Sequence, residues 1–209
     1  MINVCFADNY PVVHQGVKTY FVGHPRISIA KNCFNYADVL SVIEKGKIDV
    51  LVIDLELDGL NSIYELRVFM RKYPKVKVLV YSALKESVYA PNVIKAGIKG
   101  YVHKSNSVEY LDYSIEKVFH DETIINEDLQ NSLLIVASQP KADRAYKKLS
   151  YREVEVLRYL SDGRKNNEIS KILNLNEKTI STYKLRLQSK LGVTNLVDLV
   201  NKAKTMEIL

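Results

Sequence analysis

The chain has 209 residues, 47% hydrophobic and 26% charged, the balance of a water-soluble globular protein with room for one large or two small domains. No apolar run approaches the roughly 20 residues of a membrane span, and the start MINVCF lacks the basic residues and cleavage site of a signal peptide, so a cytoplasmic location is expected. The net charge of +6 is uneven: residues 148–209 hold 12 basic and 7 acidic side chains against 15 and 12 in residues 1–120, which permits nucleic-acid binding without proving it.

Through residue 120, short β-branched runs alternate with amphipathic stretches. The runs are INVCFA (2–7), RISIA (26–30), DVLVI (49–53), VKVLVY (76–81) and KGYVH (99–103). Between them, apolar residues fall three and four apart, as in Val39, Leu40 and Ile43, or Ile63, Leu66, Val68, Phe69 and Met70. About two dozen residues per unit is the length of a βαβ repeat, so the segment is predicted to be an α/β domain, a doubly wound five-stranded parallel sheet with helices on both faces. Cys5 and Cys33 lie in strand-like runs and are expected to be free, buried thiols. The histidines, His14, His24, His103 and His120, lack metal-ligand spacing, so no zinc site is expected.

Ligands of such sheets sit beyond the carboxyl ends of the strands. Strand one ends at Asp8-Asn9, strand three at Asp54, strand four at Ser82 and strand five at Lys104. Singly, each has an ordinary reading: a turn residue, a helix cap, a solvated lysine. Gathered on one edge, they make a site for phosphoryl transfer, in which a carboxylate attacks phosphorus and a cation neutralises the oxygens. Magnesium suits that role, held by Asp54, a group ending strand one, a backbone carbonyl and waters. Ser82 and Lys104 are then placed to bind the transferred phosphoryl oxygens.

Residues 1–120 resemble the receiver domain of bacterial two-component response regulators, through FADN with Asp8, LVIDLELDG with Asp54, LVYSA with Ser82 and AGIKGYVHK with Lys104. The resemblance implies a flavodoxin-like fold, Asp54 as phosphoacceptor, and magnesium held by Asp8, Asn9, Asp54 and the Glu56 carbonyl. It also implies that Ser82 and Lys104 sense the phosphoryl group and that Tyr101 is the aromatic that turns inward with the hydroxyl residue. Two departures stand out. Asn9 occupies the place of a second acid, which is expected to weaken magnesium binding; it also precedes Tyr10-Pro11 and is suited to capping the following helix. Pro91 lies inside the fourth helical stretch, KESVYAPNVIKAG, where it is expected to break or kink the helix.

Residues 121–147 lose the alternation: EDLQNSLLIVA is compatible with a short helix, and SQPKADRAYK is polar, so the segment is taken as a linker. Residues 148–209 show four helices. The first, LSYREVEVLRYLSDG, opens on Ser150 three residues before Glu153, a capping box, and closes at Gly163. NNEISKIL, then EKTISTYKLRLQSKLG capped by Asn176, then NLVDLVNKA complete a small all-α helix-turn-helix domain. In the third helix Ile180, Tyr183, Leu187 and Leu191 form a stripe suited to burial. Ser181, Lys184, Leu185 and Gln188 lie opposite, flanked by Lys178, Thr182 and Arg186. Such a face can enter a major groove, although basic helix faces are often merely solvated.

The segment resembles the LuxR-type DNA-binding domain over LSYREVEVLRYLSDGRKNNEISKILNLNEKTISTYKLRLQSKLGVTN. This places Lys178, Thr179, Lys184 and Lys190 near phosphates and Ser181, Thr182 and Leu185 near bases, with Leu185 meeting a thymine methyl or a covering interface. Together the two resemblances imply a DNA-binding regulator switched by phosphorylation of Asp54, whose partners are double-stranded DNA, a sensor histidine kinase, a second copy of the chain and the transcription machinery. A phosphorylation-independent DNA-binding regulator, its receiver serving for dimerisation or partner binding, is the second reading. A phosphatase using the Asp54 nucleophile is disfavoured, because LVYSAL brings no further acid, and no enzyme activity on other molecules is expected.

Overall fold

The computed structural model describes residues 1–124 and 149–205, which fall into two compact units, each described separately. The expected linker helix over residues 127–137 lies outside the described residues.

In the first unit the apolar runs form β1 (Ile2–Ala7), β2 (Ile27–Cys33), β3 (Val50–Ile53), β4 (Lys77–Ser82) and β5 (Gly100–His103). They alternate with α1 (Pro11–Phe21), α2 (Tyr36–Glu44), α3 (Ile63–Lys72), α4 (Glu86–Lys95) and α5 (Val108–Phe119). All strand pairs are parallel, in the order β2-β1-β3-β4-β5. Every residue of β3 is buried, as a central strand covered on both faces requires. Val4, Phe6, Val50, Val52, Leu79 and Val102 form one core with Leu111 and Ile115 of α5. Edge strand β2 extends past the expected RISIA through Lys31 and Asn32, both exposed, to the buried Cys33. Cys5 and Cys33 are buried free thiols with sulfurs 3.5 Å apart.

Side-chain caps start three of the helices: Asn35 accepts from Asp38 N, Ser62 from Glu65 N and Ser107 from Tyr110 N. Of the break or kink expected at Pro91, the break does not occur: α4 runs through the proline from Glu86 to Lys95. Proline withdraws a single N–H from the helix ladder, and the neighbouring turns carry the helix past it.

The second unit contains α6 (Tyr151–Ser161), α7 (Asn166–Leu173), α8 (Glu177–Leu191) and α9 (Leu196–Thr205). Val154, Leu157, Leu160, Ile169, Ile180, Leu187 and Leu199 are buried. The turn between α7 and α8 is set by Asn174, whose left-handed φ of 50° ends one helix, and by Asn176, whose side chain accepts from Lys178 N to start the next. Gly192, at φ 68°, closes α8. The capping box forms as expected: Ser150 N donates to Glu153 Oε2 at 2.7 Å and Glu153 N donates to Ser150 Oγ at 3.3 Å.

The same Glu153 carboxylate, 3% exposed, receives the Lys190 ammonium at 2.7 Å and so ties the start of α6 to the end of α8. Burial alone would raise the pKa of Glu153, but the Lys190 ammonium and the Ser150 donors outweigh it and hold the carboxyl below its usual range. A depressed carboxyl contributes stability above its unfolded pKa and loses it as pH falls through the folded value. Replacing Glu153 by Gln should therefore destabilise this unit by about 1–2 kcal/mol at neutral pH. The difference should begin to shrink as pH falls below about 4 and disappear only once pH has passed the lowered folded value. Amide hydrogen exchange across α6 and α8 in the full chain, compared with wild type at each pH, measures both effects.

Candidate functional site

Strand register brings the chemistry together. Ala7 pairs with Ile53, Ile53 with Val80 and Ser82 with His103. Asp54 N donates to the Ala7 carbonyl at 3.0 Å and Lys104 N to the Ser82 carbonyl at 2.9 Å, so sheet pairing continues one residue past the strands. Asp8, Asp54, Ser82 and Lys104 consequently share the carboxyl edge of the sheet, as their positions in the sequence predict.

Their side chains form one buried cluster. The Lys104 ammonium lies 2.6 Å from Asp54 Oδ2 and 2.6 Å from Asp8 Oδ2. Ser82 Oγ donates to Asp54 Oδ1 at 2.7 Å, and Glu56 N donates to the same oxygen at 3.2 Å. Asp8 is 0% and Asp54 2% exposed. Burial pulls the Lys104 pKa down, but hydrogen bonds and charge from Asp54 and Asp8 more than reverse this, and the ammonium is held above its usual value. The rings of Tyr10 and Tyr81 flank it at 5.6 and 5.9 Å.

Two carboxylates facing one ammonium leave a net negative charge. Asp8 Oδ2 is buried and meets the Lys104 ammonium at 2.6 Å. Two buried carboxylates sharing one ammonium form an oxygen-rich, negatively charged donor set that suits a hard cation, so Asp8 and Asp54 fit magnesium. Among the described residues no group of three or more His, Cys, Asp or Glu side chains gathers at metal-binding distance.

Asn9 does something else. Its Nδ2 donates to the Glu56 carbonyl at 2.7 Å, and its Oδ1 accepts from Asp58 N at 2.9 Å. The capping role expected for Asn9 is not found: the residue before α1 is Tyr10, whose side chain makes no cap, and Asp8 Oδ1 takes the Tyr10 N–H at 2.8 Å. Asp8 stands two residues before that N–H and meets it through a local turn, which leaves the Asn9 amide free to cross to the loop after β3.

Tyr101 is buried, at 1% exposure, and its hydroxyl donates to the Leu84 carbonyl. Leu84 N in turn donates to Ser82 Oγ at 3.4 Å. A chain of hydrogen bonds thus runs from Tyr101 through the Leu84 peptide and Ser82 to Asp54. His14, which the sequence singles out only as a poor zinc ligand, is buried under the site with Nε2 2.9 Å from the Asp8 carbonyl and Nδ1 3.0 Å from Asn32 Oδ1. Its position six residues after Asp8, on the inward face of α1, is the sequence signal for it.

In the second unit, α8 buries Ile180, Leu187 and Leu191 and half-buries Tyr183. Lys178, Ser181, Thr182 and Leu185 lie exposed on the other side, with Thr179 and Lys184 partly covered. Leu185 is 66% exposed. Ser181 Oγ and Thr182 Oγ1 donate to the carbonyls of Glu177 and Lys178, at 3.1 and 2.9 Å, and Asn166 Nδ2 reaches Ser181 Oγ at 3.2 Å. Asn166 brings α7 to the same face, a contact that spacing within α8 cannot reveal. Lys190 lies against Glu153, apart from the other basic side chains of the helix in its bonding.

Comparison with known proteins agrees with both units. Residues 4–116 match the response regulator receiver domain, and residues 147–203 match the bacterial regulatory proteins of the luxR family. The Fimbriae Z protein of Salmonella typhimurium is 27% identical over 99% of this chain and 98% of its own. Response regulator UvrY of Escherichia coli is 26% identical over 97% and 94%. The structure of RcsB from Salmonella enterica bound to a promoter with the phosphomimetic BeF3- superimposes with a TM-score of 0.80 at 25% identity, covering 98% of each chain. A further RcsB–DNA complex gives a TM-score of 0.77 at 25% identity over 96% and 97%. A five-stranded receiver sheet carrying two buried acids and a lysine at its carboxyl edge, followed by a helix-turn-helix with an exposed basic face, makes this chain a member of the response regulator family with a LuxR-type DNA-binding domain.

Proposed function

We propose that the protein is a two-component transcription regulator in which phosphorylation of Asp54 controls dimerisation and DNA binding. The receiver comprises residues 1–120, the linker 121–147 and the DNA-binding domain 148–209. The observation that carries this reading is the cluster of Asp54, Lys104 and Ser82, in which the nucleophile already holds the two donors that a phosphoryl group needs. An Asp54 carboxylate oxygen attacks phosphorus, forming an O–P bond as the P–N bond of a sensor kinase's phosphohistidine breaks and the electron pair leaves on nitrogen. Ser82 Oγ and Lys104 Nζ then pass from the carboxylate to the phosphoryl oxygens. Asp8, Asp54 and the Glu56 carbonyl are the oxygen ligands for magnesium, which supplies positive charge to those oxygens when bound. Asn9 brings no charge, so binding is weaker than with a second acid.

Movement of Ser82 toward the phosphoryl group is transmitted through Leu84 to Tyr101, shifting the receiver between two populations. The favoured form pairs with a second copy and sets two α8 helices on a two-fold DNA site in the cytoplasm, where the transcription machinery is engaged. Lys178, Thr179, Lys184 and Lys190 approach phosphates, Lys190 sharing its charge with Glu153; Ser181, Thr182 and Leu185 approach bases. The protein does not turn over external substrates.

A second reading is DNA binding independent of phosphorylation, with the receiver serving for dimerisation or partner binding; Asn9 in the place of a second acid, its amide bonded to Glu56 and Asp58, favours it. The two diverge on Asp54→Ala. Incubation with magnesium and a small phosphodonor should add one phosphoryl group to wild type by intact mass and none to the variant, and only wild type should gain DNA affinity. Equal DNA affinity with and without the adduct would support the second reading.

Contacts to DNA separate by salt. Lys178→Ala and Lys184→Ala should each weaken binding to all duplexes and reduce the slope of log affinity against log salt by about one. Leu185→Ser should leave the slope intact and relax preference at a thymine, a difference of roughly 1 kcal/mol in binding to matched and mismatched duplexes.

A further inference from the structure

We infer that the Asn9 amide is an internal clamp that takes over the cross-linking function of a divalent cation, holding the loop after β3 closed in the absence of metal and competing with metal for the Glu56 carbonyl. The inference rests on the reading of Asp8 and Asp54 as the carboxylate ligands of that cation.

The clamp spans two loops. Asn9 leaves β1, and Glu56 and Asp58 follow β3, yet one amide group satisfies a carbonyl on the first of these partners and an N–H on the second. The orientation of the amide is fixed by its partners. Turning it over would set Oδ1 against the Glu56 carbonyl oxygen and Nδ2 against the Asp58 N–H, two repulsive contacts in place of two hydrogen bonds. In the observed orientation an N–H, the wrong polarity for a cation ligand, points at the Glu56 carbonyl. For Asn9 to offer its own oxygen to metal, the side chain must swing away and release both loop residues.

Charge leads to the same place. The Lys104 ammonium lies between Asp8 and Asp54 at 2.6 Å from each, so part of the positive charge the acids require is already supplied by the protein. Glu56 N also donates to Asp54 Oδ1, which ties the loop to the nucleophile from the inside. The Glu56–Asp58 loop is therefore anchored on the β1 side by Asn9 and on the β3 side by Asp54, by side chains of the protein itself. An aspartate at position 9 could still accept from Asp58 N, but it cannot donate to Glu56, it repels that carbonyl, and it adds the charge that draws a divalent cation.

The test uses the full chain as wild type, Asn9→Ala and Asn9→Asp. Backbone amide exchange of residues 56–58 is followed by NMR in EDTA and then with magnesium added. In EDTA the wild-type Asp58 amide should be protected, and Asn9→Ala should exchange about tenfold faster, the change expected for one lost hydrogen bond. Added magnesium should alter the wild-type loop only at concentrations well above those that order the loop in Asn9→Asp, which should bind the ion at least roughly tenfold more tightly than wild type in a calorimetric titration. Exchange in Asn9→Ala equal to wild type, or magnesium affinity in wild type equal to that of Asn9→Asp, overturns the clamp. Intact mass of the same samples after treatment with a phosphodonor keeps the two proposals apart. Protection by Asn9 with no phosphoryl adduct on any variant supports the clamp and removes phosphorylation; an adduct on wild type with an unprotected loop overturns the clamp alone.

Discussion

Burying two carboxylates beside each other is the constraint around which the receiver is organised. Asp8 and Asp54 are almost wholly removed from water, and burying charge there is costly unless it is paired. The Lys104 ammonium supplies the pairing charge from a third strand, so β1, β3 and β5 are bound at their ends by charge as well as by the backbone ladder between them. β4 lies between β3 and β5 and contributes the neutral donor, Ser82. The parallel sheet is what makes this possible, because only parallel strands deliver four consecutive C-terminal residues to one edge. Apolar packing beneath the cluster, from Phe6 through Leu79 to Ile115, fixes the strands in register and leaves the cluster as the place where small movements change the energy most.

Much of this was legible in the sequence because it follows from local rules. Strand runs, their spacing and the polar residue closing each run place Asp8, Asp54, Ser82 and Lys104 without reference to any contact. Helix caps such as Ser150 with Glu153 are written within four residues. What escaped depends on distant or backbone partners. Nothing near Asn9 indicates that its amide reaches Glu56 and Asp58, 47 and 49 residues on. Leu84 joins the relay through its peptide group, so its side chain carries no signal. Lys190 has the spacing of a DNA contact, but its acid partner lies 37 residues away on another helix. Val68 belongs to the apolar stretch of α3 and is nevertheless 46% exposed, because only one stripe of that helix, through Ile63, Leu66 and Phe69, meets the sheet. Pro91 shows the opposite case, a local penalty that does not end the helix because the turns around it continue α4.

The exposed face of α8 shows how burial assigns function along one helix. Ile180, Leu187 and Leu191 have no alternative to the core, and fixing them inward turns Lys178, Ser181, Thr182 and Leu185 outward together. The serine and threonine hydroxyls, bonded back to the preceding turn, present methylene and methyl surface with their oxygen lone pairs still available as acceptors. With Leu185 beside them the central part of the face is small and weakly polar, while Lys178 and Lys184 bring charge from nearer the start and middle of the helix. Such a division separates affinity, which charge supplies, from selectivity, which shape and apolar contact supply.

The pairing of Glu153 with Lys190 carries this separation into conditions where DNA is released. Exposed lysines lose their attraction to phosphates as salt rises, because mobile ions replace them over a Debye length. Glu153 is buried, so mobile ions reach its bond to Lys190 far less readily. On the proposed reading of α8 as the DNA-facing helix, the brace between α6 and α8 persists at ionic strengths that would detach that helix from a duplex. A protein that leaves its site in this way leaves with its reading surface still assembled, and return to a site costs a diffusional encounter without a refolding step.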